Sequence, residues 1–158
     1  MIEKVTQETV TFNRIPWRFE AGTPNIADVI AFGVALKYLK DLGWDAIQSH
    51  EQLIVKAALA RLQMIDGLRL YGSKDASKRV GVFSFNLEGA NAQDVGALLD
   101  SMGLALRVGN HCAQPLMARY ACSGMVRASF YLYNTLEEVD KLGEALLKVQ
   151  KMLSKAAV

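Results

Sequence analysis

The chain has 158 residues, 51% of them hydrophobic and 22% charged, and a formal net charge of +2. That is apolar material for one compact core and too little length for two ordinary domains. The small positive excess comes with no Lys/Arg-rich run, no apolar stretch of spanning length and no signal-like start in "MIEKVTQETV", so the expectation is no nucleic acid, no membrane and no secretory leader.

In chain order, residues 1–24 read as polar and irregular, with "RIPWRFEAGTP" extended and turn-rich. Pro24 and Asn25 open a helix in which Ile26, Val29, Ile30, Gly33, Leu36 and Leu39 recur at three- and four-residue spacing, and Gly43 ends it. A second helix begins near Asp45, with Ile47, Ile54, Ala58, Leu62 and Ile65 as its buried stripe and Gly67 after it. "LRLY" at 68–71 is a short strand, and "GSKDASK" is a turn-forming loop by composition. "RVGVFSFNL" alternates Phe83, Phe85 and Leu87 against polar residues, as a half-buried strand does. Asn91 is the expected N-cap of a helix running to Met102 and closed by Gly103. "LALRVG" is a strand that leads into a cysteine loop, and "MVRASFYLY" at 125–133 reads as the longest strand. Thr135 and Glu138 form a T-x-x-E capping box before an amphipathic helix carrying Val139, Leu142, Ala145, Leu146, Val149 and Leu153. The order helix, helix, strand, strand, helix, strand, strand, helix predicts an α+β fold, a small mixed sheet with helices packed on one face.

Two places in this outline are not explained by packing alone. Phe12, Ile15, Trp17 and Phe19 lie in a segment with little regular structure to bury them; such residues either cap their own core or pack on something outside the chain. The second place is "RVGNHCAQP", residues 107–115. The chain has two cysteines and two histidines, in no CxxC or disulfide-dense pattern, which points to a reducing, cytoplasmic setting. Only His111 and Cys112 are neighbours, and adjacent residues rarely converge on a metal, so no metal site is expected. Cysteine is often a small buried hydrophobe. Arg107, Gly109, Asn110 and His111, however, suit a loop that presents a side chain in the open, where a nearby cation such as His111 would favour the Cys112 thiolate. Cys122, in "YACSGM", has no such setting and reads as structural. Arg127 lies inside a strand; either it sits at an edge with its guanidinium in water, or its fork binds a carboxylate.

"RVGNHCAQPLM" followed by "VRASFYLYNTLEEVDKL", with "PWRFEAGTPN" upstream, resembles the C-terminal part of group II cysteine desulfurases, the SufS/CsdA/selenocysteine-lyase type of class V, fold-type I pyridoxal-phosphate (PLP) enzymes. The resemblance runs in one register from about residue 10 to residue 153. It implies the small C-terminal domain of that fold over residues 45–158, preceded in residues 1–44 by the tail end of the large PLP-binding domain. In that family PLP binds L-cysteine or L-selenocysteine and acts as the electron sink, and a thiolate takes the sulfur as a persulfide for iron–sulfur cluster assembly, leaving alanine. Cys112 then matches the persulfide-forming cysteine, Arg127 the substrate-carboxylate arginine, and Arg107 the arginine heading the cysteine loop. His111 and Asn110 match loop-positioning residues. Thr23 matches the residue that reaches the PLP phosphate of the partner subunit in a homodimer.

The chain departs from the family in length and in its lysines. No lysine stands in an S-x-H-K-like Schiff-base motif, and the aspartate and histidine that hold the PLP ring have no counterpart. The expectation is therefore a part that needs the missing large domain, a homodimer partner and a sulfur-acceptor protein, and that does not bind PLP or turn over cysteine alone. The competing expectations are a PLP-independent persulfide-relay or sulfur-carrier module and, least favoured, a degenerate fragment.

Overall fold

The computed structural model describes residues 1–156. The chain divides into two compact units, Met1–Trp44 and Asp45–Val158.

The first unit opens with an antiparallel hairpin, β1 (Ile2–Val5) and β2 (Val10–Phe12), where the sequence suggested irregular chain. Its strands are too short and too rich in Thr, Glu and Lys to show a two-residue apolar period. Its turn uses no Gly or Asn: the Thr6 hydroxyl accepts from the Thr9 and Glu8 amides, a hydroxyl-closed turn of the kind Ser and Thr form. A 3-10 turn follows at Trp17–Phe19, and the amino group of Met1 donates to the Trp17 carbonyl. Helix α1 (Ile26–Leu42) starts where expected, because the Asn25 side chain accepts from the Asp28 amide. No residue of α1 is buried, and Val29, Ile30, Phe32, Val34, Leu36 and Tyr38 are all exposed, as are Phe12, Ile15, Trp17 and Phe19.

Helix α2 (Trp44–Gln63) carries the chain into the second unit and buries Ile54, Val55, Ala58, Leu59 and Leu62. The remaining elements are β3 (Leu68–Leu70), β4 (Val82–Leu87), α3 (Ala92–Ser101), β5 (Arg107–Gly109), α4 (Gln114–Arg119), β6 (Met125–Ser129) and α5 (Leu136–Ala156). Asn91 caps α3 through the Gln93 amide. The capping box of α5 is reciprocal: Thr135 N–H donates to Glu138 Oε2 at 3.0 Å, and the Thr135 hydroxyl accepts from the Glu138 amide at 3.4 Å.

The four strands lie in the order β3-β4-β6-β5. The α+β architecture agrees with the sequence reading, but the sheet is antiparallel at every pairing rather than mixed. The reason lies in the crossover. β4 and β5 run the same way and are joined through α3, which in sequence looks like a parallel β-α-β unit; β6 inserts between them and makes both neighbours antiparallel.

Alternation along β4 and β6 gives the sheet two unlike faces. Phe83, Phe85, Leu87, Val126 and Ala128 form one face and join the buried residues of α2, α3 and α5 in the main core. α3 lies so close to β5 that a Cβ on Gly96 would come within 2.2 Å of Val108. The other face carries Ser84, Asn86, Arg107 and Arg127, and the short helix α4 packs over one part of it through Met117, with Tyr71 and Met125. β6 also stops sooner than the sequence suggested, and β4 is the longer strand. Asn134 Oδ1 takes the Tyr131 amide at 2.8 Å and turns the chain at Tyr131–Asn134, leaving Tyr131 and Tyr133 exposed.

Candidate active site

The site is built on the sheet face that the long helices leave open. Arg127 stands at its centre, and its position corrects one of the two expectations for it: β6 is an interior strand, so Arg127 is not an edge residue. Ser84 faces it from β4 and Arg107 from β5. Directly opposed residues place their Cβ atoms about 5 Å apart, so two guanidinium groups rise from neighbouring strands. Among the described residues neither has a carboxylate partner, and Arg127 Nε is buried without a hydrogen-bond acceptor. A buried charged donor left unmatched is costly, and an incoming anion would supply the acceptors and offset the repulsion between the pair.

Arg127 is one wall of a cavity of about 430 Å³, lined also by Tyr71, Val82, Ser84, His111, Met117 and Met125. Tyr71 sits against Tyr120 with ring centroids 4.9 Å apart. Its hydroxyl accepts from Asn86 Nδ2, which also donates to the Gly124 carbonyl; burial is the first cause of a raised phenol pKa. The opposite wall is the loop between β3 and β4. Arg79 secures that loop: Nε donates to Ser73 O at 2.8 Å, Nη1 to Val82 O at 3.1 Å, and Nη2 to the Tyr71 carbonyl.

The cysteine loop leaves β5 at Gly109, whose φ of 124° only glycine adopts freely. His111 and Cys112 follow with φ of 53° and 57°, two consecutive non-glycine residues in the left-handed region. That conformation is uncommon and clusters at functional sites. Two hydrogen bonds hold it. Asn110 Oδ1 accepts from the Cys112 amide at 3.0 Å, and His111 Nε2 meets the Met125 carbonyl at 3.2 Å, so Nε2 carries the proton in this arrangement. His111 and Ala113 line the cavity, while Cys112 between them is exposed to solvent and Cys122 is half-buried near Met117.

His111 is not a standing cation beside the thiol. Desolvation lowers its pKa first, Arg127 next, and Arg107 adds to the effect, against a raising influence from the Met125 carbonyl. Because the folded-state pKa is depressed below the ordinary value of about 6.5, the unfolded chain binds a proton more readily than the folded one. Stability from this residue is complete above about pH 6.5 and falls as the solution is acidified through that value. Urea unfolding between pH 5 and 7.5 is therefore expected to show stability rising with pH, with a shallower slope in His111→Gln; equal slopes in the two proteins would remove His111 from this role.

Thr23 lies in the first unit, in the exposed stretch before α1, and is described there by itself. The sequence reading missed Ser84, Tyr71, Lys78, Arg79 and α4 altogether. The alternation of "VFSFNL" did carry a signal for Ser84, since it must face away from Phe83 and Phe85.

This chain belongs to the aminotransferase class-V family, whose sequence profile matches residues 1–142. Within that family it is 49% identical over 146 residues to a cysteine desulfurase of Klebsiella pneumoniae (strain 342), covering 92% of this chain and 35% of the relative. A cysteine desulfurase of Yersinia pestis (strain Pestoides F) is 48% identical over 149 residues, covering 94% of this chain and 36% of the relative. Among solved structures, the apo cysteine desulfurase of Thermococcus onnurineus NA1 superimposes with a TM-score of 0.83 at 36% identity, covering 98% of this chain and 38% of that one. The cysteine desulfurase CsdA of Escherichia coli gives 0.83 at 33% identity, covering 96% and 37%. The chain thus spans about a third of the length of the relatives it matches.

Proposed function

We propose that this chain is the C-terminal part of a group II cysteine desulfurase, with residues 45–158 as its small domain and residues 1–44 as the end of its large domain. The complete enzyme would convert L-cysteine, or L-selenocysteine, to L-alanine and leave the chalcogen on Cys112 for a sulfur-acceptor protein in the cytoplasm. One observation carries the reading: an arginine on an interior strand, paired across the sheet with a second arginine and given no carboxylate, stands in the same cavity wall as the residues flanking an exposed cysteine. Arg127 and Arg107 take the substrate carboxylate. Asn110 and His111 hold Cys112 in its left-handed turn. Thr23 meets the PLP phosphate of a partner subunit in the assembled homodimer.

The residues present do not fit PLP. No Asp or Glu lines the cavity to pair with a pyridinium nitrogen, and its one lysine, Lys78, has a side chain 75% exposed and 3.8 Å from Asp75. Cofactor binding is accordingly assigned to the rest of the enzyme, and this chain contributes the sulfur nucleophile and the carboxylate site. The exposed apolar residues of α1 agree with an element that is covered only in the larger assembly.

The test is to incubate the purified chain with PLP, reduce with borohydride and search for pyridoxyl-lysine by mass spectrometry. The expected result is no stoichiometric, site-specific adduct, with L-cysteine turnover restored when the missing large domain is supplied. A single full-occupancy lysine adduct on the chain alone would overturn the reading. A persulfide-relay role is the second reading, favoured by the exposure of Cys112, and uptake of sulfur by the chain without any large domain would support it.

A further inference from the structure

The cavity beside Arg127 is larger than a cysteine side chain requires, and its charges are all of one sign. Lys78, Arg79 and Arg127 line it, with no acidic residue among the lining. Arg79 is occupied by three backbone carbonyls and serves the loop. Lys78 is different. Its nearest carboxylate, Asp75, is 3.8 Å away, and that carboxylate already accepts from the Ser77 amide and hydroxyl. The Lys78 ammonium is thus free to reach a ligand from the loop rim, while Arg127, with Nε buried and unmatched, awaits one from the sheet.

Between these two cations the surface is apolar and polarisable. Tyr71, Met117 and Met125 are buried there, and Val82 and Leu116 form the exposed edge. Methionine sulfur and aromatic faces suit aliphatic or thioether groups. A cavity of this size and make-up takes a small molecule with a few fixed polar contacts.

We infer that this cavity is a binding site for a small dianion whose two anionic groups sit at the ends of an aliphatic or thioether body, one held by Arg127 and the other by Lys78. The inference goes beyond the desulfurase reading and does not depend on it: the site is complete in this chain and needs no cofactor. It also makes Lys78 a specificity-determining residue, because a monocarboxylate satisfies Arg127 alone.

Calorimetric titration of the full chain, without PLP, tests this with two probes: thiodipropionate, which carries two carboxylates on a thioether, and methylthiopropionate, which carries one. The dicarboxylate is expected to bind about tenfold more tightly, one charge-assisted contact's worth. Lys78→Gln, an exposed change, should erase that difference and leave the monocarboxylate unaffected. Arg127→Gln should weaken both probes, and Arg127→Lys, which keeps the charge and protects the fold, should restore part of the loss. Equal affinity for the two probes, no effect of Lys78→Gln, or no binding of either would overturn the inference. Each of those results leaves the chemistry assigned to Cys112 to its own experiment.

Discussion

Replacing Cys112 by serine is expected to abolish sulfur uptake by this chain. In the intact chain, a low-molecular-weight hydropersulfide should transfer its outer sulfur to the Cys112 thiolate: the new S–S bond forms at Sγ, the donor's own S–S bond breaks, and the electron pair leaves with the donor thiolate. The product gains the mass of one sulfur atom on a single peptide. A serine hydroxyl is a far weaker nucleophile at neutral pH than a thiolate, so labelling should fall to background. In the enzyme reassembled with its large domain, turnover should drop by about 10³-fold or more, the scale seen when a catalytic nucleophile is removed. Cys122 is an internal control. It is half-buried, its sulfur lies 3.9 Å from both the Met117 carbonyl and the Met117 sulfur, and it should stay unlabelled. Sulfur found on Cys122, or undiminished labelling in Cys112→Ser, would remove Cys112 from its assigned role.

Much of the frame that holds this cysteine is legible in the residues. The caps at Asn25, Asn91 and Thr135 are local, each made by one side chain and an amide two or three residues on, and local signals survive in a linear reading. The inward Phe83, Phe85 and Leu87 follow from a two-residue period and fix which face of β4 is core. What could not be read depends on which strands become neighbours. That β6 enters between β4 and β5 decides both the antiparallel sheet and the interior position of Arg127, and neither is written in the residues around 127. The protonation of His111 is non-local in the same way. Its sequence neighbour is a thiol, but its charge is set by burial and by arginines 16 residues ahead and four behind. Helix α4 is six residues with a proline in its first turn, shorter than any periodicity test can register. The hairpin at the start was hidden by its polar strands.

These separations bear on how the chain divides its apolar residues. In composition α1 is as apolar as any core helix, yet it has no buried residue, whereas β4 buries every second one. The hydrophobic effect rewards only area removed from water, so residues of the same type are expected to differ widely in what they contribute here.

Phe85→Ala and Phe32→Ala measure that difference. Phe85 is fully buried in the face shared by the sheet and the three long helices of the second unit. Truncating it removes the ring's transfer free energy and leaves a cavity that close-packed neighbours only partly fill, a loss of about 3–5 kcal/mol. Against a typical total of about 5–15 kcal/mol, that brings the second unit near the edge of folding, and the urea midpoint should move sharply down. Phe32 is 62% exposed, and its truncation should cost less than about 0.5 kcal/mol, the usual range for surface positions. The contrast should narrow when the chain is reassembled with its large domain. If α1 is then covered, Phe32→Ala becomes costly, read as weaker association between the two parts, while Phe85→Ala keeps the penalty it has in the chain alone. A Phe32→Ala chain that reassembles as tightly as the original would mean that this face of α1 is not where the rest of the enzyme packs.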